Sequence, residues 1–282
     1  MDVLMPILTM GALGLILSAG LAIAYQKLKV EEDPKVVKIS EALPQANCGA
    51  CGYSGCRAFA EAVVKGEAET NGCPVGGEET ITKVAEIMGV KADEVVKKIA
   101  RILCHGDTEA AKDRGTYLGI TTCYAANLTG GHKQCPYGCL GFGDCVLACP
   151  FEAIHMGGDG LPVVDGKKCT ACGKCVDACP RNLIELLPLE QNMFVYCRSL
   201  DGPKVSRKLC KNACIACGIC ARACPEQIFM KNNLAVIKDY KKIEPEQIPA
   251  IEKCPTNAIG RFKKEEIEME QIEEKEAVRN EG

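Results

Sequence analysis

The chain has 282 residues, of which 21 are cysteine and none is tryptophan, and its formal net charge is −3. The charge is nearly balanced and forms no basic stripe, so nucleic acid is not an expected partner. A secreted disulfide scaffold is one interpretation of so much cysteine, but such scaffolds are short and their cysteines are irregularly spaced. Here most cysteines fall in C-x-x-C blocks, some followed by proline, which favours metal binding in a reducing compartment.

The first predicted element is an uncharged run from Val3 to Tyr25. At about 1.5 Å per residue, a helix of this length crosses a hydrocarbon core of about 30 Å. A cleaved signal peptide needs a basic segment before a shorter apolar run, whereas only Asp2 is charged here. Because Lys27 and Lys29 follow the run, the positive-inside rule places the rest of the chain in the cytoplasm. The sequence therefore predicts a single-pass anchor in the lipid of the cell (inner) membrane.

The predicted domains follow in chain order. They are the transmembrane anchor (1–26), a linker (27–45), a small four-cysteine domain (46–103), a first cysteine-rich module (104–190), a degenerate second module (191–262) and a tail (263–282). The tail is charged all round, so we expect a solvated helix or disorder and assign it no chemistry.

Local patterns predict helices in the four-cysteine domain and short strands in the modules. Apolar residues keep helical spacing from Ile81 and Val84 through Met88, and again over Val95, Val96 and Ile99. The pieces LPVV and LAVI are strand-like, and the GGDG that precedes LPVV predicts a turn.

The four-cysteine domain contains the pattern C-x2-C-x4-C-x16-C-P, interleaved with glycine. Its cysteines are Cys48, Cys51, Cys56 and Cys73. Gly49, Gly52 and Gly55 suit a tight loop whose backbone N–H groups donate to cluster sulfurs. The spacing alone also allows zinc, and the iron–sulfur boxes downstream favour an iron–sulfur cluster.

The first module begins with CPYGCLGFGDCVLACP, which ends like a bacterial ferredoxin run, C-x-x-C-x-x-C-x-x-x-C-P. Phe142 occupies the position of its central ligand. Alignment with the second module pairs Phe142 with Cys217 and Cys135 with Cys210. Cys135 is therefore the nearest candidate to replace the missing ligand, and the alternatives, Cys104 or Cys123, stay open.

The same module continues with a complete run, C-T-A-C-G-K-C-V-D-A-C-P, from Cys169 to Pro180. Three cysteines of such a run reach one cube and the fourth reaches the other cube of a two-cluster ferredoxin. Structural zinc sites favour two separated C-x-x-C pairs instead. We therefore predict two clusters. One is held by Cys135, Cys139, Cys145 and Cys179, and the other by Cys149, Cys169, Cys172 and Cys175.

The second module has one complete run, from Cys214 to Pro225, and a decayed companion. Ile243 occupies the position of Cys169, and only Cys254 remains of the companion run. The predicted cluster ligands are Cys214, Cys217, Cys220 and Cys254.

Five cysteines remain as possible additional ligands. They are Cys104, Cys123, Cys197, Cys210 and Cys224. The last three are candidates for a further cluster with one outside ligand, and the alternative is that some are buried thiols that pack as small apolar groups. The prediction is at least four [4Fe–4S] clusters, with five or more left open. The sequence contains neither a dinucleotide-binding fingerprint nor a Walker A loop, and no catalytic residue stands out.

An N-terminal span, NCGACGYSGC with a later GCP, and the module CPYGCLGFGDCVLACPFEAI together resemble the B subunit of the Rnf complexes, in its longer anaerobe-type form. The resemblance covers residues 1–260. It implies a membrane complex, with other membrane and flavin-bearing subunits, that oxidises soluble ferredoxin, reduces NAD⁺ and translocates Na⁺ or H⁺. Phe142 and Ile243 are departures from the doubled ferredoxin pattern.

We therefore predict an α+β chain with a single N-terminal transmembrane helix, a small helical 4Fe–4S domain and ferredoxin-like two-cluster modules. Its predicted role is one-electron relay within a translocase, without bond-making chemistry of its own. A small acidic ferredoxin should dock at lysines near an exposed cluster, such as Lys167, Lys168 and Lys174. The alternatives are a membrane-anchored polyferredoxin that serves a hydrogenase or another dehydrogenase, and a zinc-rich scaffold.

Overall fold

The computed structural model describes residues 4–28, 33–91, 96–189, 191, 193–238 and 249–261. The predicted tail and Ile243 lie outside these residues. The helices are α1 (Leu4–Leu28), α2 (Pro34–Ala42), α3 (Cys56–Lys65), α4 (Gly77–Met88), α5 (Cys123–Leu128), α6 (Asp144–Leu147), α7 (Lys174–Ala178), α8 (Pro203–Leu209), α9 (Ile219–Ala223) and α10 (Pro249–Glu252). The strands are β1 (Lys98–Ile102), β2 (Ile154–Met156), β3 (Pro162–Val164), β4 (Ile184–Pro188), β5 (Met193–Val195), β6 (Ile228–Lys231), β7 (Leu234–Ile237) and β8 (Ile259–Arg261).

Helix α1 is apolar and exposed. Its segment Ile7–Tyr25 is long and apolar enough to cross a membrane, and none of it is buried against the rest of the protein. The helix is compatible with membrane anchoring.

Helices α2, α3 and α4 form the N-terminal domain around a core that includes Ile39, Phe59 and Val84. Helix α2 begins where Asp33 accepts a hydrogen bond from the Lys35 N–H at 2.8 Å, which caps the helix. Because Ile39 is fully buried in this core, α2 belongs to the N-terminal domain. The structure thus differs from the predicted linker, which extended to residue 45.

The prediction that Val96 and Ile99 lie in a helix is wrong. Gly89 adopts a left-handed conformation with φ 74° and ends α4. Ile99 lies in strand β1, where it is buried and opposite Leu187 of β4. This pairing satisfies the backbone polar groups of β1, which local spacing cannot anticipate. Residues 92–95, and with them Val95 of the predicted helix, lie outside the described residues.

The two modules repeat one arrangement of strands. In the first, β1 pairs with β4 and β2 pairs with β3; in the second, β5 pairs with β8 and β6 pairs with β7, all antiparallel. The strands predicted at LPVV and LAVI are confirmed as β3 and β7. The predicted GGDG turn is also confirmed, because the Gly160 N–H donates to the Gly157 carbonyl at 3.0 Å. Each module places its hairpin between its cysteine boxes, so several cysteines are part of the cores.

Candidate metal centres

None of the 21 cysteines is in a disulfide. Twenty of them fall into five groups of four, and Cys224 is the remaining one. Group 1 is Cys48, Cys51, Cys56 and Cys73; group 2 is Cys149, Cys169, Cys172 and Cys175; group 3 is Cys123, Cys139, Cys145 and Cys179; group 4 is Cys104, Cys135, Cys197 and Cys210; group 5 is Cys214, Cys217, Cys220 and Cys254.

Group 1 lines a single cavity in the N-terminal domain. The Asn47 side-chain oxygen accepts a hydrogen bond from the Cys56 N–H at 2.9 Å and so ties the cysteine loop to the start of α3. Gly55 is required beside it, because a Cβ there would lie 2.9 Å from the same oxygen. The four cysteines are those that the sequence spacing selected as ligands.

Group 2 also contains the four cysteines that the sequence assigned together. Burial raises the pKa of Cys175 to about 12, and the neighbouring thiolates of Cys169, Cys172 and Cys149 contribute to the increase. The Cys169 sulfur accepts the Ala100 N–H at 3.4 Å. Strand β1 thus contributes a backbone donor to this group.

Group 5 lines a cavity in the second module and again has the predicted members. Burial raises the pKa of Cys220 to about 11, and Cys214, Cys217 and Cys254 are the charged neighbours that raise it further. All 21 cysteines are among the described residues, and of these Cys217 is the one that is exposed. A cluster in this site would therefore approach the protein surface.

A glycine in a left-handed conformation precedes each of the short helices α6, α7 and α9, which carry Cys145, Cys175 and Cys220. Gly143, Gly173 and Gly218 have φ values of 77°, 80° and 66°. A residue with a Cβ is strained in this conformation, so glycine allows the sharp entry into the helix. The turn directs the first helical turn, with its cysteine, towards the cavity.

Group 3 differs from the sequence prediction. Its cavity is lined by Cys123, together with Cys139, Cys145 and Cys179, and Cys135 does not line it. Burial raises the pKa of Cys145 to about 11, and the thiolates of Cys123 and Cys179 raise it further. Cys123, which the sequence left as an alternative, therefore occupies the place for which Cys135 was predicted.

The position of Cys123 depends on a contact between distant parts of the chain. Cys123 is the first residue of α5, and the N–H groups of Cys123 and Tyr124 donate to the Asp144 carboxylate at 2.9 and 3.0 Å. Asp144 in turn begins α6 and precedes Cys145. The carboxylate holds the two cysteines at one cavity, while the ring of Phe142 packs against those of Tyr117 and His132.

Replacement of Asp144 with alanine tests this contact. Loss of a capping carboxylate costs about 1–2 kcal/mol, and we also expect faster loss of iron to a chelator because Cys123 is no longer held. Asp144→Asn retains an acceptor and should have a smaller effect. The exposed Asp177, on α7, provides the control, and Asp177→Ala should change neither the unfolding midpoint nor the rate of iron loss. Equal effects of the two alanine variants would contradict the role of Asp144.

Group 4 was not predicted as a set. It combines Cys135 with three of the cysteines that remained unassigned: Cys104, Cys197 and Cys210. Cys224, the other one, is buried in the core of the second module and lines none of the cavities described here. The sequence placed Cys197, Cys210 and Cys224 together, and in the structure all three belong to one buried core cluster, but only Cys197 and Cys210 line the cavity of group 4.

The donor sets fit iron–sulfur clusters. Groups 1, 3, 4 and 5 each present four thiols to one cavity, and group 2 brings four thiols near one another. Four thiols spread around a cavity suit a multi-iron cube better than one tetrahedral zinc ion.

Three family models match the chain. One described as "Putative Fe-S cluster" matches residues 43–75, and two described as "4Fe-4S dicluster domain" match residues 133–184 and 168–228. The first contains group 1, and the other two together contain all of group 2 and three cysteines each of groups 3, 4 and 5. Three grouped cysteines, Cys104, Cys123 and Cys254, lie outside all three matched ranges.

Curated proteins are similar over most of the chain. This chain is 48% identical to the B subunit of the Na⁺-translocating ferredoxin:NAD⁺ oxidoreductase complex of Acetobacterium woodii. The match covers 92% of this chain and 78% of the relative. It is 38% identical to the B subunit of the proton-translocating ferredoxin:NAD⁺ oxidoreductase complex of Clostridium ljungdahlii, over 91% of this chain and 92% of the relative. The B subunit of the ion-translocating oxidoreductase complex of Methanosarcina acetivorans is 35% identical over 73% of this chain and 78% of the relative.

Proposed function

We infer the role of this chain from the family to which it belongs. That family is the B subunits of the ion-translocating ferredoxin:NAD⁺ oxidoreductase complexes, the Rnf complexes. It is an electron-transfer subunit of such a complex and carries multiple 4Fe–4S clusters. We propose that electrons from a soluble ferredoxin pass along its cysteine groups to the membrane subunits, and that flavin-bearing subunits of the complex complete the reduction of NAD⁺. The observation that carries this proposal is that the cysteine groups follow one another, each close to the next.

Neighbouring groups lie close enough for the charges of their cysteines to interact. Burial raises the pKa of Cys172 in group 2, and the thiolates of Cys149, from the same group, and Cys48, from group 1, raise it further. Cys145 of group 3 likewise contributes to the raised pKa of Cys175 in group 2. Groups 1, 2 and 3 therefore follow one another. Each cluster, when bound, accepts and releases one electron, and the protein holds successive sites close together.

The N-terminal anchor supports a direction for this series. Five residues separate the end of α1, Leu28, from the start of α2, Pro34. Such a segment spans at most about 20 Å. If α1 crosses the cell (inner) membrane once and the bulk of the chain is cytoplasmic, group 1 is held near the lipid surface. We therefore propose that electrons leave towards the membrane subunits from group 1.

The donor ferredoxin is then expected at the opposite end of the series, in group 5. Cys217 is exposed there, and a Cβ on the adjacent Gly218 would lie 3.2 Å from the Arg222 guanidinium. An acidic ferredoxin that docks on this face would approach both the cluster and the cation.

A groove beside groups 1 and 2 is the second candidate for the docking site. It is lined by Cys172 and by several lysines, including Lys97, Lys98, Lys167 and Lys174. Lys168, which the sequence also proposed for docking, is exposed nearby in the chain. The positive charge of the lysines favours docking of an acidic ferredoxin in this groove. Electrons that enter here, however, would reach group 1 without passing through groups 3, 4 and 5.

Charge reversal separates the two candidates. In the intact complex we expect Arg222→Glu to slow the oxidation of reduced ferredoxin about tenfold at low salt and much less at high salt, because electrostatic steering is screened. Lys167→Glu together with Lys174→Glu should leave the rate nearly unchanged. The reverse result would place the donor in the groove. A complex whose iron–sulfur absorbance is not bleached by reduced ferredoxin at all would contradict the proposed function.

A further inference from the structure

Group 4 is assembled from four separate segments of the chain. Cys104 follows β1, Cys135 lies in the loop after α5, Cys197 follows β5, and Cys210 follows α8. All four line one cavity. Cys104, Cys197 and Cys210 are buried, and Cys135 is partly so. A set drawn from both modules has no local spacing pattern, which is why the sequence did not predict these four cysteines as one site.

Backbone N–H groups converge on the sulfurs of group 4. The N–H groups of Gly106 and Cys139 both donate to the Cys104 sulfur at 3.4 Å. The N–H of Ser199 donates to the Cys197 sulfur, also at 3.4 Å.

The other two sulfurs also accept backbone hydrogen bonds. The backbone N–H of Asn212 donates to the Cys210 sulfur, and the backbone N–H groups of Tyr137 and Gly138 donate to the Cys135 sulfur. Buried thiols that act only as apolar filling need no such donors, whereas cluster sulfurs do.

The space between the sulfurs is kept free by glycine. A Cβ on Gly106 would lie 3.4 Å from the Cys104 sulfur and 3.7 Å from the Cys210 sulfur. A Cβ on Gly138 would lie 3.6 Å from the Cys135 sulfur. Both glycines therefore present bare backbone to the sulfurs that line this cavity, as the approach of a cluster requires.

Two cations lie beside group 4. Arg181 donates to the carbonyl oxygens of Cys135 and Gly138 at 3.0 and 2.6 Å. The buried ammonium of Lys133 donates to the Asp107 carbonyl at 3.1 Å. Arg181 lies near Cys135, and Lys133 lies near Cys104. They complement the negative charge that four thiolates bring to the site.

Group 4 contacts a neighbouring group on each side. Cys139, whose N–H donates to Cys104, belongs to group 3. The backbone of Cys214, a member of group 5, forms a hydrogen bond with the Cys197 sulfur. We propose that Cys104, Cys135, Cys197 and Cys210 bind a fifth [4Fe–4S] cluster, which connects the clusters of the two modules. This inference rests on the proposed electron-transfer function and supplies the link between groups 3 and 5.

Iron content of the full chain, purified without oxygen in detergent, tests the inference. The wild-type chain should contain about twenty irons, equal acid-labile sulfide and no zinc, and Cys104→Ala should lose about four of them. Cys135→Ala should lose the same four, and the double variant should lose no more than either single variant. Cys224→Ala is the matched control, since Cys224 and Cys104 are both 8% exposed, and it should retain all irons.

Two outcomes would overturn the fifth cluster. One is a wild-type chain with about sixteen irons whose content Cys104→Ala does not change. The other is one zinc per chain that disappears in this variant. The wild-type count decides the question even if a variant fails to fold. Neither outcome affects the proposed function, which fails separately if reduced ferredoxin does not bleach the clusters of the wild-type complex.

Discussion

Replacement of Cys123 with alanine is expected to remove a whole cluster, about four irons per chain. In the structure Cys123 lines the cavity of group 3 with Cys139, Cys145 and Cys179, and no spare thiol among the described residues lines that cavity. Mutation of a residue that only orients a metal ligand lowers activity about 10–100-fold, and loss of a ligand should lower electron transfer through the complex at least as much. Iron and sulfide analysis, with the rate of ferredoxin oxidation, measures both effects.

A second substitution shows which cysteines share the site. Because Cys123 and Cys179 line the same cavity, Cys123→Ala combined with Cys179→Ala should lose no more iron than either change alone. The grouping predicted from the sequence, with Cys135 in this cluster, would leave the iron content of Cys123→Ala at the wild-type level. That result would return Cys135 to group 3.

Replacement of Arg181 with methionine is expected to lower the free energy of unfolding by about 3–5 kcal/mol. This is less than four separate bonds of about 1.5–3 kcal/mol each would give, because the guanidinium is only half-buried and partly screened by solvent. The guanidinium is half-buried and donates to the Asn127 side chain and to the carbonyl oxygens of Gly130, Cys135 and Gly138. Without Arg181, these acceptors lose their donor. The loops that position Cys123 and Cys135 should then separate from the turn after Cys179.

The rate at which a chelator removes iron, together with the unfolding midpoint, measures this effect. Arg181→Lys should recover little, because one ammonium cannot serve acceptors arranged around a planar guanidinium. Arg207, exposed in the last turn of α8, is the control, and Arg207→Met should change stability by less than about 0.5 kcal/mol. A stable Arg181→Met variant that retains its iron would contradict the role assigned to these contacts.

The sequence predicted those sites whose ligands lie close together in the chain or follow a repeated box. Groups 1, 2 and 5 have the members that the spacing indicated. A C-x-x-C-x-x-C loop brings three sulfurs to one cavity through local geometry, and the glycine before the short helix completes the turn. The hairpins at LPVV and LAVI were equally local and are confirmed.

Predictions from local spacing were wrong where contacts with other elements determined the structure. The helical pattern around Ile99 was wrong because that residue pairs with β4 as part of a strand. The interpretation of residues 27–45 as a linker differs from the structure because α2 packs against α3 and α4. In both cases burial of an apolar face against a distant element outweighed the local preference.

The sequence by itself determined the family, the presence of several iron–sulfur clusters and most of their ligands, because these follow from residue type and short spacing. Only the tertiary structure decided which cysteine completes group 3 and whether Cys104, Cys197 and Cys210 belong together. Cys123 reaches its cavity through the Asp144 carboxylate, and Cys104 reaches its own because β1 pairs across to β4. Contacts of this kind join residues far apart in the chain, and no local pattern records them.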